Sequence, residues 1–531
     1  MPIDVAHPYG RLLATMSRRE LLNIAWKLGA GAIAALPMTT RTAWAQPVFR
    51  NYPFSLGVAS GDPWPDSVVL WTRLAPEPLE GGGMPTANVE VSWQVATDRA
   101  FRSVVRFGTT LARPELGHSV HVEAEGLSPN REYFYRFRCG GETSQIGRTK
   151  TAPAEGAPVD RLRFGISGCG HYETGYFSAY GRMADEQFDF VFHTGDYIYE
   201  GRGDVNRNPN NVRRHAGQEI YTLVDYRNRY AQYKSDPDLM AAHVSAPFIM
   251  AWDDHEVDND YAGDHDERDT PPEVFLLRRA AAYQAYYESM PLRAATFPSG
   301  PNLPLYRRLA FGNLIDFSVL DTRQYRSKQA RCGDPVTCPE LIDVKRTILG
   351  EAQEQWLFET LGKSRATWTV IGQQVPTFAR DMASATPQSR FSVDKWDGYV
   401  ESRNRLFAHL RDSKTPNPIV LSGDVHAHWC ADLKADFRNP RSPTIGVEFT
   451  NSSVTSGGDG TDVQPTWEAM HRDNPHITFH GNKRGYVACT ASAHAMRADF
   501  RIVDRVTVPN QPARTARSMI VEAGRPGSQT S

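Results

Sequence analysis

Six apolar stretches beyond residue 160 each run straight into side chains able to hold a cation or a substrate, and this repeated ending constrains the fold more than any other feature. LRFGIS leads to Cys169, FDFVFHTG to Asp196, PFIMAW to Asp253-Asp254-His255, LIDFSVL to Asp321-Thr322-Arg323, WTVIG to Gln373-Gln374 and PIVLSG to Asp424-Val425-His426. Short continuous apolar runs read as buried strands. Segments of helical pattern, EVFLLRRAAAYQAYYESM and EAQEQWLFETLG among them, separate the runs and indicate an α/β domain. Ligands of such sheets bind outside the carboxyl ends of the strands, so the six endings are expected to converge. Asp196 and Asp254 carry the most weight, because a carboxylate following a buried strand is costly unless a cation or a hydrogen-bond network compensates it.

The region before residue 153 has a different texture. Val89, Val91, Trp93 and Val95 share one face of VEVSWQV, and Tyr133, Tyr135 and Phe137 one face of EYFYRF. Short alternating strands separated by turns, without amphipathic helices between them, predict a small all-β sandwich over residues 48–153. GLSPNREYFYRF resembles the E–F corner of fibronectin type III-like domains. TAPAEGAPVDR reads as the linker to an α/β domain over 160–525. A chain of 531 residues exceeds what one core usually supports, in keeping with two domains.

A net charge of −2 leaves no field of one sign, which excludes holding a nucleic-acid backbone or an anionic membrane by bulk attraction. The six cysteines are too few for a dense disulfide framework, although Cys332 and Cys338 bracket a short loop, CGDPVTC, that a bridge could close. Residues 1–45 read as a targeting segment. SRRELL at 17–22 precedes an apolar stretch from Ile24 to Pro37 and then TAWAQP, whose Ala43 and Ala45 fit a signal-peptidase site. The segment resembles a twin-arginine export signal, which implies the twin-arginine machinery as partner and a periplasmic or extracellular destination. Its apolar run is shorter than the roughly 20 residues of a membrane span.

SGCG at 167–170, HTGDYIYE at 193–200, WDDHEVDND at 252–260, LDTRQYR at 320–326, IGQQVP at 371–376 and SGDVHAHW at 422–429 resemble, in order, the motif set of PhoD-like phosphatases. The resemblance covers nearly all of the chain after the targeting segment. It implies a two-sheet α/β metallophosphoesterase sandwich flanked by helices and preceded by a β-sandwich domain. It also implies an iron(III) ion (Fe3+) held by Cys169, Asp196, Tyr199 and His426, beside calcium (Ca2+) sharing Asp196 and bound by Asp254 and Asp424. The donor chemistry agrees: thiolate and phenolate suit a trivalent ion, and carboxylate oxygens suit calcium. Related phosphoesterases using zinc or manganese place histidines where Gln373 and Asp424 stand here.

The activity implied is hydrolysis of phosphate monoesters or diesters by metal-activated water, with small phosphate esters or phospholipids as substrates. Arg323 is expected to face the transition state, and His255 to protonate the leaving oxygen as general acid. The sequence leaves two other readings open. One is a phospholipase D-type phosphodiesterase, with specificity set by the loops over 201–240 and 326–346. The other is a secreted binding protein without metals, which the intact ligand positions argue against.

Overall fold

The computed structural model describes residues 48–203, 211–332, 338–383, 389–439 and 441–531, so the export segment expected over 1–45 lies outside the described residues. The chain forms a mixed α/β fold with three sheets and, among the described residues, seven α-helices. All six apolar stretches are strands: Arg161–Ser167, Phe190–His193, Phe248–Met250, Ile315–Val319, Trp368–Gly372 and Pro418–Ser422. The two helical patterns are the helices Pro272–Ser289 and Glu351–Lys363.

A ten-stranded sheet runs in the order Arg525–Thr530, Ala513–Glu522, Ala495–Val503, Arg484–Ser492, Arg161–Ser167, Phe190–His193, Phe248–Met250, Val58–Gly61, Ser67–Arg73 and Ser119–Glu125. Its centre is a parallel block, with Phe190 opposite Phe164 and Val191 opposite Phe248, so three strands finish at one edge. A seven-stranded sheet holds a second parallel block, Ile315–Val319, Trp368–Gly372, Pro418–Ser422 and Thr444–Thr450. The two sheets meet through aromatic rings, Phe190 on Phe311 with centroids 4.4 Å apart and Phe192 on Phe317 at 5.3 Å. Both belong to one continuous core.

Local signals place the strand that carries Asp254. Thr222 and Asp225 form a capping box at the start of helix Leu223–Lys234, and Asp236 caps the next helix, Pro237–Ser245, whose first residue is a proline. That helix ends just before Phe248–Met250, which is buried throughout.

The amino-terminal region divides between two sheets. Val104–Ala112, Val89–Ala96, Glu132–Cys139, Glu142–Thr143 and Gly147–Lys150 form a sheet of their own. Tyr133, Tyr135 and Phe137 point inward, and half-buried Trp93 packs at the margin of the same core. The layer facing them is the end of the ten-stranded sheet, because Val58–Gly61 pairs in parallel with Phe248–Met250. Trp71 donates its ring N–H to the carbonyl of Glu288 at 2.9 Å, and Arg307 reaches Asp62 at 2.7 Å, so polar bonds reinforce the shared edge. Cys332 and Cys338 are joined by a disulfide, and the remaining described cysteines are buried thiols.

Candidate metal centre

Four strand endings converge. Cys169, Asp196 and His426 present ligand atoms within 4.8 Å of one another; so do Asp196, Asp254 and His255, and so do Asp253, Asp254 and Asp424. Asp196 belongs to the first two groups and Asp254 to the last two, so both carboxylates are positioned to be shared. Cys169, Asp196, Asp424 and His426 all adopt left-handed backbone, with φ of 56°, 55°, 67° and 52°. That conformation costs a non-glycine residue about 1–2 kcal/mol, and four such residues at one site mark strain maintained for function. Gly195 precedes Asp196 with φ of 113°, and a Cβ there would overlap the backbone nitrogen of Asp253, so only glycine lets the two ligand loops touch.

Two buried glutamates fix these loops from behind. Glu256 accepts the backbone N–H groups of Asp196 at 3.2 Å, Tyr197 at 2.5 Å and Asp253 at 2.8 Å, tying the Asp196 loop to the Asp254 loop. Glu448 accepts the N–H groups of Thr377 at 3.0 Å and Phe378 at 3.2 Å and the hydroxyl of Ser422 at 2.5 Å, next to the Asp424 turn. Burial pushes each carboxyl up to about 7.

Tyr199 donates its hydroxyl to Asp196 Oδ2 at 2.8 Å, lies 2.6 Å from Ser456 Oγ and is 3.3 Å from His426 Nε2. Its ring packs on His255 with centroids 4.1 Å apart. Of the residues expected as ligands, Asp196, Asp254, Asp424 and His426 line one cleft of about 290 Å³ together with His255, Asn259, Asp260, Arg380, Lys395 and Val425, while Cys169 and Tyr199 lie beside Asp196 and His426.

The electrostatics call for added positive charge. Burial, then the carboxylates of Asp196, Asp424 and Asp253, push the Cys169 thiol far above its ordinary value. Burial with the neighbouring acids does the same to Asp196. Asp196 Oδ1 and Asp254 Oδ1 are buried without a hydrogen-bond partner among the described residues, an expensive state unless a cation is coordinated there. Burial pulls His426 down to about 4, so its imidazole is neutral and able to ligate. These residues fit a group of cations.

His255 opposes this pattern. Burial works against its charge, but Glu200, Asp196 and Asp254 outweigh burial and raise it well above the usual histidine value. Its Nδ1 lies 2.7 Å from Glu200 Oε2, leaving Nε2 as the other nitrogen of the ring.

Arg323 departs from expectation. It is fully buried and does not line the cleft: Nε contacts Asp253 Oδ1 at 2.5 Å, Nη1 contacts Asp394 at 2.9 Å, and Nη2 lies 3.4 Å from Asp424 and 3.6 Å from Asp254. Its donors are committed to four carboxylates, which ties the loops of Asp253, Asp254, Asp394 and Asp424 together. The endings at Asp321 and Gln373 are also structural, since Asp321 caps the turn through Arg323 and Gln324, and Gln373 bonds Thr377.

Asp253, Glu200 and Asn259 sit inside the recognised motifs but were not singled out as site residues. Arg380, Asp394 and Lys395 lie on loops with no strand or turn pattern to announce them.

Parallel strand blocks aimed at one edge, with a cation-hungry cluster of carboxylates, thiol, phenol and imidazole, form a site built to hold cations, and the relatives of the chain make it a hydrolase of phosphate esters. Residues 164–500 match the PhoD-like phosphatases and residues 40–153 match their N-terminal domain, and the chain belongs to this family. Alkaline phosphatase D of Bacillus subtilis (strain 168) is 48% identical over 523 residues, covering 97% of this chain and 89% of that protein. A solved structure of PhoD superimposes with a TM-score of 0.89 at 48% identity, covering 91% of this chain and 93% of that one.

Proposed function

We propose that the cleft hydrolyses small phosphate esters with iron(III) and calcium, and that Asp196, shared between two donor groups with one buried oxygen unpartnered, is the observation that carries this reading. Cys169, Tyr199, His426 and Asp196 would hold iron, while Asp196, Asp254 and Asp424 would hold calcium. When bound, such ions polarise phosphoryl oxygens and lower the pKa of water. Water adds to phosphorus, the ester P–O bond breaks, and the leaving oxygen takes a proton. His255 supplies that proton, with Glu200 fixing the ring through Nδ1. Arg323 keeps Asp253, Asp254 and Asp424 in register, and Lys395, 2.5 Å from Asp424 Oδ2, restrains the same carboxylate.

The cleft lining is almost wholly charged or polar, with Val425 the exception, which favours small hydrophilic esters over phospholipids. In the same reading, residues 48–153 form a fibronectin type III-like sandwich whose second layer is continuous with the ten-stranded sheet, 160–525 the two-sheet catalytic unit, and 1–45 a twin-arginine signal removed on export. No helix of the described residues is long and apolar enough to cross a membrane.

Elemental analysis combined with rates on p-nitrophenyl phosphate, bis-p-nitrophenyl phosphate and phosphatidylcholine tests the proposal. Iron and calcium with turnover of a nitrophenyl ester are expected; stoichiometric zinc without iron would overturn the metal assignment. Calcium chelation should remove activity before iron leaves, and calcium readdition should restore it. Amino-terminal sequencing of exported protein should begin near Gln46.

A further inference from the structure

Arg323, Lys395 and Arg380 stand at or behind the cleft, and they differ in how far their charge is already committed. Arg323 is bound to four carboxylates. Lys395 lies 2.9 Å from Asp394 Oδ2 and 2.5 Å from Asp424 Oδ2, so its ammonium is clasped between two acids. Arg380 lines the cleft, yet among the described residues the acceptor its guanidinium finds is the thioether of Met382 at 3.6 Å, with the Trp429 ring 5.4 Å from Cζ. A thioether is a weak acceptor for a group with five donors.

The backbone around Arg380 is held firmly nevertheless. Its N–H donates to Asp397 Oδ2 at 2.9 Å, and Glu448 fastens Thr377 and Phe378 just upstream. Asp397 in turn commits its other oxygen to Arg403 at 2.5 Å. Two carboxylates thus fix the segment, and Asp397 and Asp424 act on the guanidinium through space without accepting a hydrogen bond from it among the described residues. A positioned, largely buried arginine with spare donors in a polar cleft is built for an anionic ligand of planar or bidentate character.

Resting on the reading of this cleft as a phosphoesterase site, we propose that Arg380 determines substrate class by binding the phosphoryl oxygen that a monoester has and a diester lacks. A monoester has three non-bridging oxygens and up to two negative charges. A diester replaces one of those oxygens with an alkoxy group, which bears no charge and accepts hydrogen bonds poorly. Arg380 therefore stabilises the monoester dianion and gives a diester little. Arg323 cannot take this role, because its donors are spent, and Lys395 cannot without releasing Asp394 or Asp424.

The test uses metal-loaded wild type, Arg380→Gln and Arg380→Lys, with metal content and melting temperature measured alongside. Arg380→Gln should lower kcat/KM on p-nitrophenyl phosphate on the order of 10²-fold, and on bis-p-nitrophenyl phosphate less than about fivefold. Calorimetric affinity for inorganic phosphate should weaken by a similar ~10²-fold, and Arg380→Lys should recover part of both losses. Equal losses on the two esters, or an unchanged phosphate affinity in Arg380→Gln, would overturn the proposal. Wild type that hydrolyses neither ester while binding phosphate through Arg380 would instead overturn the reading of the cleft.

Discussion

The ten-stranded and seven-stranded sheets both aim parallel strands at one cleft, yet they contribute unequally. Every strand ending of the first block reaches the ligand cluster: Cys169, Asp196 with Tyr199, and Asp253 with Asp254. In the second block the Asp424–His426 turn does so, and Ser456 beyond the Thr444–Thr450 strand reaches Tyr199, while Asp321 and Gln373 are absorbed by local hydrogen bonds. Each side has one buried glutamate bracing its loops, but Glu256 grips the backbone of Asp196 itself and Glu448 grips a neighbouring loop. The same architecture of strand and turn can therefore serve as a ligand cradle on one side and as a frame for orientation and specificity on the other.

The sharpest way to break this comparison is Asp196→Asn against Asp424→Asn. Removing the shared carboxylate should cost activity about 10⁴-fold or more and deplete iron and calcium together, whereas Asp424→Asn should lose calcium and keep iron. Elemental analysis of both variants decides; full iron retention in Asp196→Asn would mean the first sheet does not own the cluster. Next in size, His255→Ala should slow alkyl phosphates by about 10³-fold while p-nitrophenyl phosphate, whose leaving group needs no proton, falls far less. A uniform loss on both esters, with metals intact, would reduce His255 to a brace.

Glu256→Gln should weaken calcium affinity 10–100-fold, in the range typical of residues that support metal ligands, and Glu448→Gln only a few-fold. Metal titrations of the two variants compare the halves directly, and equal effects would erase the asymmetry between the sheets.

The smallest effect on catalysis, and a distinct one on stability, is expected from Lys234. Its ammonium lies 4.1 Å above the Trp71 ring and 5.2 Å from that of Tyr197, and burial lowers it from 10.5 to about 7. Between those values the unfolded chain keeps a proton that the native chain has shed, so stability rises with pH across the window and the cost is fully present below it. His121, His193 and His243, which feel its charge, are all held lower by burial and stay neutral there. Tyr197 is raised above its ordinary value. Lys234→Met should remove a slope of a few kcal/mol between pH 7 and 10, at about 1.4 kcal/mol per unit of displacement, with kcat unchanged within about twofold. Denaturant melts at the two pH values check this; parallel slopes in both proteins would refute it.

What the sequence revealed follows from where its signals are local. A buried strand is a run of apolar residues, and its end is a change of polarity, so Cys169, Asp196, Asp254 and Asp424 could be read from the chain directly. His426 stands at the same readable ending as Asp424, whereas Tyr199 followed from the family resemblance carried by the motif around it. Arg323 was legible at a strand end, but its carboxylate partners were not, because Asp394 lies 71 residues away on an irregular loop. Arg380 and Lys395 share that difficulty: contacts such as Asp397 with Arg403 set their positions, and no periodicity records them. The alternation of VEVSWQV and EYFYRF was legible, whereas the pairing of Gly61 with Phe248 has no local signature, and the joining of amino-terminal strands to the central sheet went unseen.

That joined edge has a consequence for the life of the chain before it is an enzyme. Trp71 must find Glu288 across 217 residues, and Arg293 must find Asp62 across 231. At a ribosome producing about 5–20 residues per second, the first strands emerge some ten to forty seconds before their partners exist. Throughout that interval the Val58–Gly61 strand presents an unpaired edge, a template for wrong partners. A nascent chain of this design needs shelter at its beginning until its middle has been made.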